Sequence, residues 1–169
     1  VLEVLSSMTR LRIAPHAITC NAAVSACEKG SQWQAALALL TFMAQLRIEL
    51  DVITCGAAIS ACEKGRQWQA ALALLSSTVA RRIRPDVISC GAAVSACERS
   101  GQWQAALGLL SSMAQLRIAP DIVVCGAVVS ACERGRQYQL ALTSLGCLAR
   151  LAHRDQRHLL HFRGQRSRR

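Results

Sequence analysis

Cysteine returns every 35 residues along this chain, at Cys20, Cys55, Cys90 and Cys125, with a second series at Cys27, Cys62, Cys97 and Cys132. Trp33, Trp68 and Trp103 keep the same step, and Tyr138 takes the fourth place. A fixed period of this size excludes most folds, because each unit must fold like its copies and is completed only by them. The units are 17–51, 52–86, 87–121 and a drifting 122–156, with a basic tail at 157–169. Residues 1–16 read as the second half of a unit, since Met8 falls in register with Met43 and Met113. The chain is therefore expected to be a piece of a longer array.

Within one unit, Cys20, Ala23, Val24 and Cys27 follow i, i+3, i+4, i+7 and make one apolar helical face. Gly30 follows the basic Lys29 and suits a C-terminal stop, as do Gly65 and Gly135, while the third unit shifts to Ser100-Gly101. A second helix is expected from about Gln32 to Gln45. Trp33, Ala36, Leu37 and Leu40 form one stripe, and Ala35, Leu39 and Met43 another beside it, so that helix is buried on two sides. Pro15, Pro85 and Pro120 then break the connectors, with Leu50 as the exception. Each unit is helix, tight turn, helix, short linker. One unit alone cannot offset its ordering entropy, so stacking is required and the fold class is an all-α solenoid.

Charge and cysteine content narrow the function. The net charge is +10, and residues 150–169 hold seven Arg against the single Asp155. A basic chain favours phosphate-bearing partners, although the tail reads equally well as a solvated end. No membrane partner is expected, because the longest apolar runs are far too short to span a bilayer. Cys20 and Cys27 lie about 20° apart around a helix, without CxxC spacing or a recurring His. They read as small core residues rather than as metal ligands or a disulfide framework. No cofactor is implied.

The first helices should line one surface. Ile18, Asn21 and Ser25 flank the core stripe, and their counterparts are Ile53, Gly56 and Ser60, then Ile88, Gly91 and Ser95, then Val123, Gly126 and Ser130. Lys29, Lys64, Arg99 and Arg134 place one cation per unit one turn further on. That row suits phosphate contact, and it also complements the helix C-termini.

A 35-residue helical pair ending in Pro-Asp resembles the pentatricopeptide repeat family. The likeness rests on VITCGAAISACEKGRQWQAALALL (52–75) and VISCGAAVSACERSGQWQAALGLL (87–110), with the connectors RIRPD (82–86) and RIAPD (117–121). The wording looks like the variety found in dinoflagellate algae. The resemblance implies a right-handed superhelix that binds single-stranded RNA, about one base per repeat, in chloroplasts or mitochondria. It implies that each base is read by a residue of the first helix and the last residue of the unit. Those positions hold Asn21 with Asp51, Gly56 with Asp86, and Gly91 with Asp121, then Gly126, whose partner position is Gln156. Asn21 with Asp51 resembles a uridine-preferring pair, whereas glycine has no side chain to read with. Ile18, Ile53, Ile88 and Val123 match residues that sandwich bases, and Lys29, Lys64, Arg99 and Arg134 match places suited to phosphate.

RNA binding in organelle processing, stability, editing or translation is the first functional reading, and a monomer is expected. The alternative is a helical scaffold that holds a protein partner in its groove. Enzymatic activity is not expected, since no His-x-Glu with a downstream Cys-x-x-Cys occurs and the Ser25 series has no paired base.

Overall fold

A computed structural model describes residues 16–137 together with 139, 140, 142, 143 and 146. The half-unit read in 1–16, apart from His16, lies outside the described residues, as do Tyr138, Gln156 and the basic tail.

Among the described residues seven helices with defined ends follow one another, and no strand occurs. They are α1 (Ala17–Lys29), α2 (Trp33–Gln45), α3 (Val52–Lys64), α4 (Trp68–Ala80), α5 (Val87–Arg99), α6 (Trp103–Gln115) and α7 (Ile122–Arg134). The odd-numbered helices are the first helices of their units. Asp51, Asp86 and Asp121 start α3, α5 and α7 as N-caps. Their carboxylates accept from the backbone N–H of Thr54 (2.7 Å), Ser89 (2.8 Å) and Val124 (2.8 Å). Each such cap contributes about 1 kcal/mol. His16 occupies the same place before α1 and forms no side-chain cap.

The first helices stack directly, α1 on α3, α3 on α5 and α5 on α7. Each second helix instead wedges between its own first helix and the next one, and second helices barely touch one another. The first helices thus stand closer together than the second, which curves the stack with the first helices inside. Small side chains permit that approach: Ala58, Ala61, Ala92, Ala93, Ala96 and Ala131 are all buried. Val24, Ile59, Val94 and Val128 fill the space between, with Leu39, Met43 and Met113 from the second helices. Cys20, Cys27, Cys55, Cys62, Cys90, Cys97 and Cys132 are buried free thiols and Cys125 is half-buried, which is the core role their spacing suggests.

The helix ends differ from expectation in one physical detail. Gly30, Gly65 and Gly135 close α1, α3 and α7, but with φ of −82°, −78° and −78° they need no glycine freedom. The left-handed residue is the next one: Ser31, Arg66 and Arg136 at φ 54–55°, and Gly101 at 70°. Gly65 and Gly135 are required for another reason. A Cβ on Gly65 would sit 2.4 Å from Cδ1 of Trp33 in the preceding unit, and one on Gly135 would sit 2.3 Å from Cδ1 of Trp103. Trp33, Trp68 and Trp103 pack against the core between units, as their stripe implies.

Candidate nucleic-acid interface

The inner surface carries an apolar row. Ile18, Ile53, Ile88 and Val123 keep 81%, 67%, 71% and 64% of their area exposed, although the rest of each helix stripe is covered. They sit one residue into each first helix, after the capping Asp in α3, α5 and α7 and after His16 in α1. Exposure of one large aliphatic per unit at one register leaves flat apolar surface available to a planar partner.

Asn21 lies beside this row, and its amide is held from two sides. Its Nδ2 donates to Asp51 Oδ2 over 3.0 Å. The Thr54 hydroxyl donates both to Asn21 Oδ1 and, over 2.7 Å, to Asp51 Oδ1. One hydroxyl proton therefore serves two acceptors, and the three side chains form a closed set across α1 and α3. Burial alone would raise the Asp51 carboxyl. Hydrogen bonds from the Thr54 backbone and hydroxyl and from Asn21 outweigh it, so the carboxyl lies below its usual range. Asn21 keeps one amide N–H and one carbonyl lone pair outside this set, a donor and an acceptor side by side. Thr54 was not singled out in the sequence. Its signal is the hydroxyl three residues after the terminal Asp.

The other units keep part of this arrangement. Ser89 bonds Asp86 Oδ1 over 2.6 Å as Thr54 bonds Asp51, but Gly56 offers it no amide. A Cβ on Gly56 would stand 2.9 Å from Ser89 Oγ. Gly91 faces Val124, whose Cγ2 is 3.3 Å from a Cβ built there, and Val124 has no hydroxyl. Outside its own helix, no described residue comes within 4 Å of a Cβ built on Gly126. The Ser25, Ser60, Ser95 and Ser130 series is half-buried.

The basic row at the far end of the first helices is engaged with the stack. Lys64 pairs with Glu28 (3.0 Å), Arg99 with Glu63 (3.2 Å) and Arg134 with Glu98 (3.0 Å), each reaching back one unit. Burial raises the Glu63 carboxyl, and Arg99 and Lys64 moderate that rise. Lys29 makes no such pair with a described residue. These Glu partners escaped the sequence reading, although Glu28, Glu63 and Glu98 recur in step. Among the described residues no group of His, Cys, Asp and Glu comes together that could hold a metal ion. No helix among them is long and apolar enough to cross a membrane.

A curved stack of helix pairs with a repeated polar and apolar pattern on its inner face defines a helical-repeat solenoid. Residues 73–135 match the family model described as the pentatricopeptide repeat domain, and the same register runs on toward both ends. Over that stretch the chain is similar to pentatricopeptide repeats. Solved structures share the fold. One is the pentatricopeptide repeat domain of Arabidopsis thaliana protein-only RNase P 1 in complex with tRNA. It aligns with a TM-score of 0.77 at 14% identity, over 89% of this chain and 80% of that one. Another is PPR10 from maize, with a TM-score of 0.74 at 21% identity, over 92% of this chain but 23% of that one. PPR10 in complex with an 18-nt psaJ RNA element aligns with a TM-score of 0.68 at 17% identity, over 88% of this chain and 22% of that one. No curated protein sequence matches the chain.

Proposed function

We propose that this array binds single-stranded RNA along its inner face, one base per unit, and acts by binding rather than by catalysis. The observation that carries the reading is the Asn21 amide, fixed by Asp51 and Thr54 between the exposed Ile18 and Ile53. A base lying against such aliphatic side chains would meet a pre-oriented donor and acceptor at its edge. Uracil presents a complementary N–H and carbonyl there, so Asn21 with Asp51 favours uridine. Gly56, Gly91 and Gly126 leave their bases unread, and sequence choice over those units is weak. The tRNA and psaJ complexes of proteins with this fold support RNA as the partner class. Of the row Lys29, Lys64, Arg99 and Arg134, the last three are matched to Glu28, Glu63 and Glu98, so this edge offers phosphate only partly neutralised cations. By family resemblance the chain works as a monomer in organelle RNA processing, stability, editing or translation, in a chloroplast or mitochondrion.

The test is a titration of labelled single-stranded RNA, duplex RNA and unrelated helical peptides. Single strands should bind in preference to duplex, with affinity falling as salt rises. Binding of helical peptides with no RNA binding would reject this reading in favour of a protein scaffold.

A further inference from the structure

A second left-handed series recurs in the connectors. Arg47, Arg82 and Arg117 end α2, α4 and α6 at φ 56°, 61° and 55°, with backbone N–H bonds to Ala44, Val79 and Ala114. L-residues with large side chains are disfavoured there, and glycine or asparagine is the undemanding choice. The corresponding turn inside each unit is not fixed in type, holding Ser31, Arg66, Gly101 and Arg136. The connector position is arginine in all three described connectors, and Arg12 stands in the same register, while the drifting fourth unit has Ala152 there. Ile48, Ile83 and Ile118 follow it each time, while other neighbours vary. The residue before is Leu46, Arg81 or Leu116, and the residue two further on is Glu49, Arg84 or Ala119.

The three guanidinium groups are exposed and make no ion pair or hydrogen bond with the described residues. In the first-helix row, by contrast, Lys64, Arg99 and Arg134 are each matched to a Glu of the preceding unit, and only Lys29 has no such match among the described residues. Each connector Arg lies four residues before Asp51, Asp86 or Asp121, at the end of the stack where Asn21 and the apolar row sit. The acid-matched row lies at the opposite end of the 13-residue first helices, about 20 Å away.

Building on the RNA reading, we infer that the edge formed by Arg47, Arg82 and Arg117 is a phosphodiester-binding track, one guanidinium per unit. Guanidinium forks fit phosphate oxygens bidentately, and an unmatched cation gives up no protein partner on binding. Phosphates then run along the connector edge while bases turn inward toward Ile18, Ile53, Ile88 and Val123.

The test compares the full chain with two triple variants, Arg47→Gly/Arg82→Gly/Arg117→Gly and Arg47→Lys/Arg82→Lys/Arg117→Lys, on labelled oligouridylate across a salt series. Glycine suits the left-handed backbone, so the first variant loses charge without straining the fold, and a thermal melt should show an unchanged or higher midpoint. Three lost phosphate contacts should flatten the slope of log K against log salt by about 2 units and weaken binding at low salt. The lysine variant should keep most of the slope. Unchanged affinity and slope in the glycine variant, with the parent binding RNA, would overturn the track and leave the RNA reading intact. A parent that binds no single strand would sink both.

Discussion

Asn21 and Asp51 stand 30 residues apart in the chain, yet the Asn21 amide donates to the Asp51 carboxylate over 3.0 Å. The stacking of α1 on α3 makes this contact, and Thr54 closes it from the other side. Asn21→Ala should therefore abolish a uridine preference at one nucleotide. Thr54→Val should reduce that preference while the helix cap survives, because Asp51 still accepts from the residue 54 backbone N–H. A hydrogen bond of this kind is worth about 0.5–1.5 kcal/mol, so selectivity should fall by a factor of about 2–10. Selection from randomised oligonucleotides measures it. Equal base profiles for the parent and both variants would remove Asn21 from the reading role.

The same trio can be rebuilt two units on. Gly91→Asn alone places an amide against the Val124 methyl groups, with Asp121 as its only polar partner. Adding Val124→Thr supplies the missing hydroxyl. The double variant should show a second uridine preference two nucleotides from the first, and it should exceed that of Gly91→Asn. The interaction energy from the four-protein cycle should be positive and of order 0.5–3 kcal/mol. Strictly additive effects would show that the hydroxyl does not orient the amide.

Acid should act on this contact late. The folded Asp51 carboxyl lies below its usual value. Its contribution to stability is therefore present above the ordinary carboxylate pKa of about 3.9 and is lost as pH falls through the lower folded value. Asp51→Asn should lower stability at pH 7 and narrow the gap to the parent in strong acid. A gap that widens on acidification would contradict the assignment.

Gly65→Ala and Gly135→Ala should destabilise the array, because each new methyl enters the ring of Trp33 or Trp103. Overpacking of this kind costs about 1–3 kcal/mol, or about 2–10 °C in melting temperature for a chain of this size. Gly30→Ala is the control, since its Cβ would meet nothing nearer than 3.4 Å. Equal melting temperatures for all three variants would contradict the steric role of Gly65 and Gly135.

The buried thiols should react slowly. Burial pushes Cys62, Cys90 and Cys97 up to about 11, so at pH 8 about one in a thousand is thiolate. Peptide mapping after brief alkylation should find these three unmodified, with the half-buried Cys125 labelled ahead of them. Full labelling of all four in the folded protein would show that the first-helix layer opens readily.

Much of the fold was legible because a helix shows its face in its spacing. Cys20, Val24 and Cys27 mark the buried side of α1, and Trp33 with Met43 marks two buried sides of α2, without any knowledge of a partner. Repetition then implied stacking, since a unit with two apolar stripes has nowhere else to bury them. The exposed row Ile18, Ile53, Ile88 and Val123 could also be seen as apolar residues off the core stripe. What spacing could not show was which residues meet across units. Glu28 and Lys64 are 36 residues apart, and only the stacked first helices bring them within 3.0 Å. Their pairing turns a row read as free charge into a ladder between units. Gly65 reads locally as a helix stop, and only Trp33 of the previous unit shows that it is a close contact. Arg47, Arg82 and Arg117 looked like ordinary connector residues until the backbone placed each at positive φ. The sequence by itself determined the period, the helices and their buried faces, because these follow from local geometry and side-chain chemistry repeated in one chain. The tertiary structure decided which polar groups are matched and which face outward, because contacts between residues about 35 apart depend on how closely the first helices stack.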